Sequence, residues 1–103
     1  MDKITLYKKA IKEILEVLAS RIPVNRPTLK KHLVIDDSKN EYILVSLGPN
    51  EAKYYYNVLV HLEIKDGKIL IHEENIDPTI YERLMDKGIA EKDIVPVYLQ
   101  NYA

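Results

Sequence analysis

Two histidines and a glutamate offer the residue types of metal or acid–base chemistry. His61, Glu63 and His72 flank an Asp66-Gly67 dipeptide that separates two alternating runs. Asp-Gly favours a two-residue type I′ turn, because both central residues need φ > 0. Such a turn sets Lys65 opposite Lys68, and in that register Ile64 meets Ile69, Leu62 meets Ile71 and Val60 meets Glu73 on one face. That face is nearly all aliphatic and must be core. The other face pairs Glu63 with Leu70 and His61 with His72. Two facing imidazoles with a carboxylate two residues away resemble part of a zinc site, yet such a site also needs a preorganised supporting shell. Half-exposed strand histidines beside Leu59 and Leu70 are the expectation, with no metal and no cofactor.

Other candidates are weaker. Tyr54, Tyr55 and Tyr56 form the densest aromatic run, and sheet-displayed tyrosines can stack on bases. Alternation sends Tyr55 to the opposite face from its neighbours, so no three-ring platform forms. Lys8, Lys9, Lys12, Lys30 and Lys31 are candidate basic contacts to phosphates. Standard catalytic signatures are missing: there are three glycines and no phosphate-cradling loop, no HExxH, and no Gly-x-Ser-x-Gly elbow. Ser20 and Ser46 sit in no nucleophile motif with a nearby base. No catalytic residue is assigned, and the chain is not expected to be an enzyme.

The elements that position these residues follow from periodicity. Ile4, Tyr7, Ile11, Ile14 and Leu18 recur at helical spacing, with Ala10, Leu15 and Val17 widening the stripe. Asp2 is a natural N-cap, and Pro23 ends the helix within a connector over 21–27. The period then changes to two, predicting strands over 29–35, 41–47, 54–65 and 68–74. The breaks fall at 36–40, 48–51 and 66–67. A second helix is predicted with Asp77 as N-cap, Pro78 at its first position, and Ile80, Tyr81, Leu84 and Met85 inward. Gly88 suits its left-handed C-cap. A short turn over 90–93 and a last extended segment over 94–99 follow, with Pro96 assigning the latter to a sheet edge. The fold class is α+β: an N-terminal helix, an antiparallel meander of about four strands, a second helix and a short edge strand, with the helices on one sheet face.

The chain has 103 residues, enough for a single domain over 1–103. At 47% hydrophobic and 30% charged, its composition is that of a soluble globular protein. With no cysteine, disulfides, thiolate metal sites and a cysteine nucleophile are excluded. No apolar run reaches a membrane-span length and no signal-peptide core is present, so a cytoplasmic protein is expected. Net charge is −1, but residues 1–35 carry eight Lys/Arg against three Asp/Glu, and residues 36–103 carry seven against thirteen. Folding is expected to set the two halves side by side and cancel the asymmetry.

Several segments resemble a known family. Residues 61–71, HLEIKDGKILI, are similar to the H-x-x-I-x-D-G-K-I-W-I hairpin of XisI-type proteins, the fdxN-element excision controlling factors of cyanobacteria. Residues 84–95, LMDKGIAEKDIV, resemble that family's L-v-x-x-G-I-P-K-x-D-I-V. Asp2, Lys3 and Tyr7 fit its opening helix, and residues 42–48, YILVSLG, its Y-L-L-v-x-x-G-W strand. Pro49 and Leu70 replace the family's two tryptophans, residues 74–77 replace its D-G-T-E, and residues 98–101 replace its F-H-P-P tail. The chain resembles a divergent, shortened member.

The resemblance implies a non-catalytic accessory that acts with a XisH-like companion in site-specific DNA excision. The alternatives are a direct DNA-binding directionality factor or an antitoxin-like partner of a nuclease-like protein. Two helices cover one face of a four-stranded sheet but not both, so Tyr55, Leu59, His61, Glu63, Leu70 and His72 are the expected interaction surface. Soluble monomers seldom expose such a patch. A homodimer or the companion is expected to cover it.

Overall fold

The computed structural model describes residues 2–21 and 28–100. Helix α1 (Lys3–Ser20) starts where the Thr5 N–H donates to the Asp2 carboxylate at 2.8 Å, the predicted cap. Its buried stripe is Tyr7, Ala10, Ile11, Ile14, Leu15 and Leu18. Val17 does not join it and is 52% exposed, because one step of about 100° from Leu18 carries it off the packed face. Beyond Arg21, the expected connector and Pro23 lie outside the described residues.

Strands β1 (Lys30–Asp36), β2 (Glu41–Asn50), β3 (Lys53–Lys65) and β4 (Lys68–Glu74) form the expected meander. The break predicted over 48–51 is narrower. β2 continues through Gly48 and Pro49, Asn50 pairs with Lys53, and Glu51-Ala52 make the turn. Gly48 stays in the strand at φ +134, where a Cβ would come within 3.2 Å of the Thr28 carbonyl. At the next hairpin Asp66 (φ 54) and Gly67 (φ 75) both take the left-handed conformation, so the two-residue turn forms as predicted.

Helix α2 (Ile80–Asp86) is capped by Thr79, not Asp77: the Thr79 side chain accepts from the Glu82 N–H. The Ile80 N–H is taken by the Glu74 carboxylate at 2.7 Å, so the end of β4 helps set where α2 begins. At the other end Gly88 (φ 87) follows the last turn. Its N–H donates to the Met85 carbonyl and that of Ile89 to the Leu84 carbonyl, a Schellman closure. Ile80 and Leu84 are buried, but Met85 is 42% exposed. A 3₁₀ turn (Glu91–Asp93) leads to β5 (Ile94–Pro96). The extended segment expected over 94–99 stops at Pro96 and winds into a second 3₁₀ turn (Val97–Leu99).

The sheet order is β1-β2-β3-β4-β5. β5 sits at the edge, as Pro96 requires, but runs parallel to β4. The sheet is therefore mixed, because the chain crosses over through α2 before it pairs again. Both helices lie on one face, over Tyr42, Leu44, Val60, Leu62, Ile69 and Ile71, all 0% exposed. Burying each such aliphatic side chain contributes roughly 1.5–3 kcal/mol. No described helix is long and apolar enough to cross a membrane.

Candidate functional site

The second sheet face carries no helix, and the register decides what it displays. From the Asp66-Gly67 turn, Lys65↔Lys68, Ile64↔Ile69, Glu63↔Leu70 and Leu62↔Ile71 pair as predicted. Beyond that the register shifts: His61 pairs with Glu73, and Val60 with Glu74. His72 is the extra residue of a β-bulge. The expected direct pairs of His61 with His72 and of Val60 with Glu73 do not form. The two imidazoles nonetheless remain neighbours on the open face, with ring centroids 4.9 Å apart.

Each histidine has its own carboxylate. His61 Nε2 lies 2.6 Å from Glu41 of β2, and His72 Nε2 lies 2.9 Å from Glu63 of β3. An ionised carboxylate only accepts, so each Nε2–H donates. The four side chains are between 26% and 35% exposed. Both Nε2 atoms point at separate carboxylates, not at a shared centre. Among the described residues no group of three or more His, Asp or Glu is placed to hold a metal. Glu41 was not among the predicted site residues, because its approach to His61 depends on the β2–β3 register.

A second bulge resets the remaining tyrosines. Along β2 and β3, Leu44 pairs with Val60 but Val45 pairs with Val58, which leaves Leu59 as the extra residue. Leu59 packs against the helix-side core instead of the open face, contrary to expectation. Counting outward from the bulge, Tyr55 opposite Gly48 falls on the side of Ser46 and Asn57, while Tyr54 and Tyr56 fall on the open face. Tyr54 is 67% and Tyr56 64% exposed. By the same alternation the open face includes Val34, Ile43, Val45, Leu47 and Val58. Of the six predicted surface residues, His61, Glu63, Leu70 and His72 stand together there; Tyr55 and Leu59 do not.

The basic residues do not converge. Lys12 pairs with the Asp37 carboxylate at 2.7 Å, and Lys8 reaches the Asp37 carbonyl at 3.4 Å. Lys30 and Lys31 alternate to opposite faces, and Lys31 donates to the Leu18 carbonyl at 2.8 Å. Lys9 is exposed on α1. The pairs Lys12–Asp37, Lys87–Glu13 and Lys3–Asp93 each join the basic first part of the chain to the acidic remainder.

One buried cluster escaped the sequence. The Tyr7 hydroxyl donates to the Asp93 carboxylate, and Lys3 Nζ stands 3.4 Å from the same group. Lys3 also lies over the hairpin, where a Cβ on Gly67 would meet its Nζ at 3.2 Å. The available signal was that Lys3, Tyr7, Gly67 and Asp93 all fall in the family-like segments. The cluster pins the start of α1 to the hairpin and to the approach of β5.

The family described as XisI protein matches residues 1–103. No curated protein matches the chain. Among solved structures, the fdxN element excision controlling factor XisI from Anabaena variabilis superposes with a TM-score of 0.78 at 24% identity, covering 96% of this chain and 95% of that one. A XisI-like protein from Anabaena variabilis superposes with a TM-score of 0.85 at 27% identity, covering 98% of this chain and 91% of that one. The chain belongs to the XisI family.

Proposed function

We propose that this XisI-family protein is a non-catalytic accessory in the control of DNA excision, acting by binding a XisH-like companion through its open sheet face. The observation that carries the reading is the exposure of that face. Val34, Tyr54 and Tyr56 are each more than half exposed beside Ile43, Leu47 and Val58, and contiguous apolar area of this kind marks contact surfaces. The His61–Glu41 and His72–Glu63 pairs add oriented polar groups, which supply specificity at the edge of an apolar patch. The name of the solved relative, an excision controlling factor, supports the process.

The second reading is direct DNA binding. The dispersal of the lysines weighs against it, because Lys8 and Lys12 are engaged at Asp37 and Lys30 and Lys31 alternate to opposite faces. Co-purification of the protein with a co-expressed XisH-like companion tests the first reading. Val34→Lys and Tyr56→Lys should abolish capture while leaving the melting temperature unchanged. Capture that survives both substitutions rejects the open face as the contact. Micromolar binding to duplex DNA near physiological salt, without any companion, supports the second reading. In the absence of a companion we propose that the same face pairs two copies; light scattering of the purified protein should then give a dimer that Tyr56→Lys dissociates.

A further inference from the structure

On the helix side, away from the open face, a cleft of about 360 Å³ lies between the end of α1, the start of β1 and α2. Its walls carry Arg21, Lys31 and Arg83, with Ser46, Asn57 and the single acid Asp77. None of the three cations forms an ion pair among the described residues. Lys31 donates to the Leu18 carbonyl at 2.8 Å and Arg83 Nε to the Pro78 carbonyl at 2.9 Å. These contacts fix where the side chains point without neutralising their charge. Burial, and then the like charge of Arg21, hold the Lys31 ammonium below its ordinary pKa. Three cations against one acid at a concave site give it a positive field that attracts an anion.

We propose that this cleft binds a small phosphate-bearing molecule, whose phosphoryl oxygens are received by Arg21, Lys31 and Arg83. Three cations from three separate elements suit a tetrahedral, doubly charged group; a planar carboxylate is satisfied by one guanidinium fork. The volume falls in the roughly 300–1,000 Å³ range of small-molecule sites. Ser46 and Asn57 supply polar groups for the rest of the ligand. Ser46 is 7% exposed on the wall of the cleft. The shared chemistry is phosphate, whether free or carried by a nucleotide.

Thermal melts and calorimetric titration at matched ionic strength test this, with sodium phosphate, a nucleoside monophosphate and sodium malonate as probes. Phosphate or the nucleotide should raise the melting temperature above that in chloride, and the tighter of the two identifies the source. Arg21→Gln and Arg83→Gln should each weaken that binding about tenfold or more, the loss expected for a charge-assisted hydrogen bond. Arg21 is exposed at the helix end, so its replacement leaves the core intact and keeps the test valid if Arg83→Gln misfolds. Lys65→Gln, at the distant hairpin, should bind as the parent does. Absence of any phosphate-dependent shift overturns the proposal. So does an equal response to malonate, or an affinity that Arg21→Gln leaves unchanged.

Discussion

Tyr7 and Asp93 meet across 86 positions of sequence, the phenol hydroxyl donating to the carboxylate. Asp93 is 5% exposed, and Lys3 completes its surroundings. This contact holds the N-terminal turn of α1 against the segment that delivers β5. Tyr7→Phe removes the donor and leaves a buried carboxylate short of a partner. The melting temperature should fall by several degrees, and Asp93→Ala should not lower it further in the Tyr7→Phe background. Additive losses in the double variant would show that the two side chains act separately.

The same pair sets a pH dependence at both extremes. The Tyr7 hydroxyl, and secondarily Lys3, hold the Asp93 carboxyl below the usual carboxylate range. A depressed pKa contributes stability that is present above the unfolded value of about 3.9 and lost as pH falls through the folded one. Burial, and then the Asp93 carboxylate, push the Tyr7 phenol up to about 12. Its contribution is complete below about 10 and disappears as pH rises through the folded value. The stability difference between parent and Tyr7→Phe should therefore be greatest near neutrality and shrink towards both ends. Urea unfolding from acid to alkaline pH measures it.

Gly67 is the residue the hairpin cannot replace. At φ +75 any Cβ strains the backbone, and left-handed geometry costs an ordinary residue about 1–2 kcal/mol. Lys3 Nζ, the nearest atom to that Cβ, is the flexible end of a side chain and can move aside. Gly67→Ala should cost about 1–2 kcal/mol in chemical denaturation, nearly all of it backbone strain. Lys3→Ala should not rescue it.

Opposite faces of β3 should respond differently to truncation. Leu62 is fully buried between helices and sheet, so Leu62→Ala should cost about 2–5 kcal/mol. Tyr54→Ser, on the open face, should stay within about 0.5 kcal/mol. Denaturant midpoints of the purified variants check both. A large loss for Tyr54→Ser would place that ring in packing the structure does not contain.

The histidine pairs should contribute little to stability. Both are part-exposed, and exposed ion pairs are worth about 0–1 kcal/mol. Glu41→Gln and Glu63→Gln should thus leave the neutral-pH midpoint nearly unchanged. Zinc at neutral pH should not raise the melting temperature, since each Nε2 is already committed to its own carboxylate. A zinc-dependent rise lost in His72→Ala would reveal a metal site.

Local chemistry in the sequence determined the elements. Asp66-Gly67 admits one tight turn, so the first four pairs of the β3–β4 ladder were legible from two residues. Asp2 as a cap, Gly88 as a stop and Pro96 at an edge follow equally from backbone constraints on single residues. The tertiary structure decided the rest. Leu59 and His72 are inserted as bulges, and period-two patterning carries no mark of an inserted residue. Each bulge resets the alternation, which is why Leu59 turns to the core, Tyr54 and Tyr56 reach the open face, and Glu41 meets His61. Thr79 caps α2 while Glu74, at the end of β4, takes the next free N–H. Asp93 finds Tyr7 only when the chain has closed on itself, because a carboxylate has no signature for a partner 86 residues away.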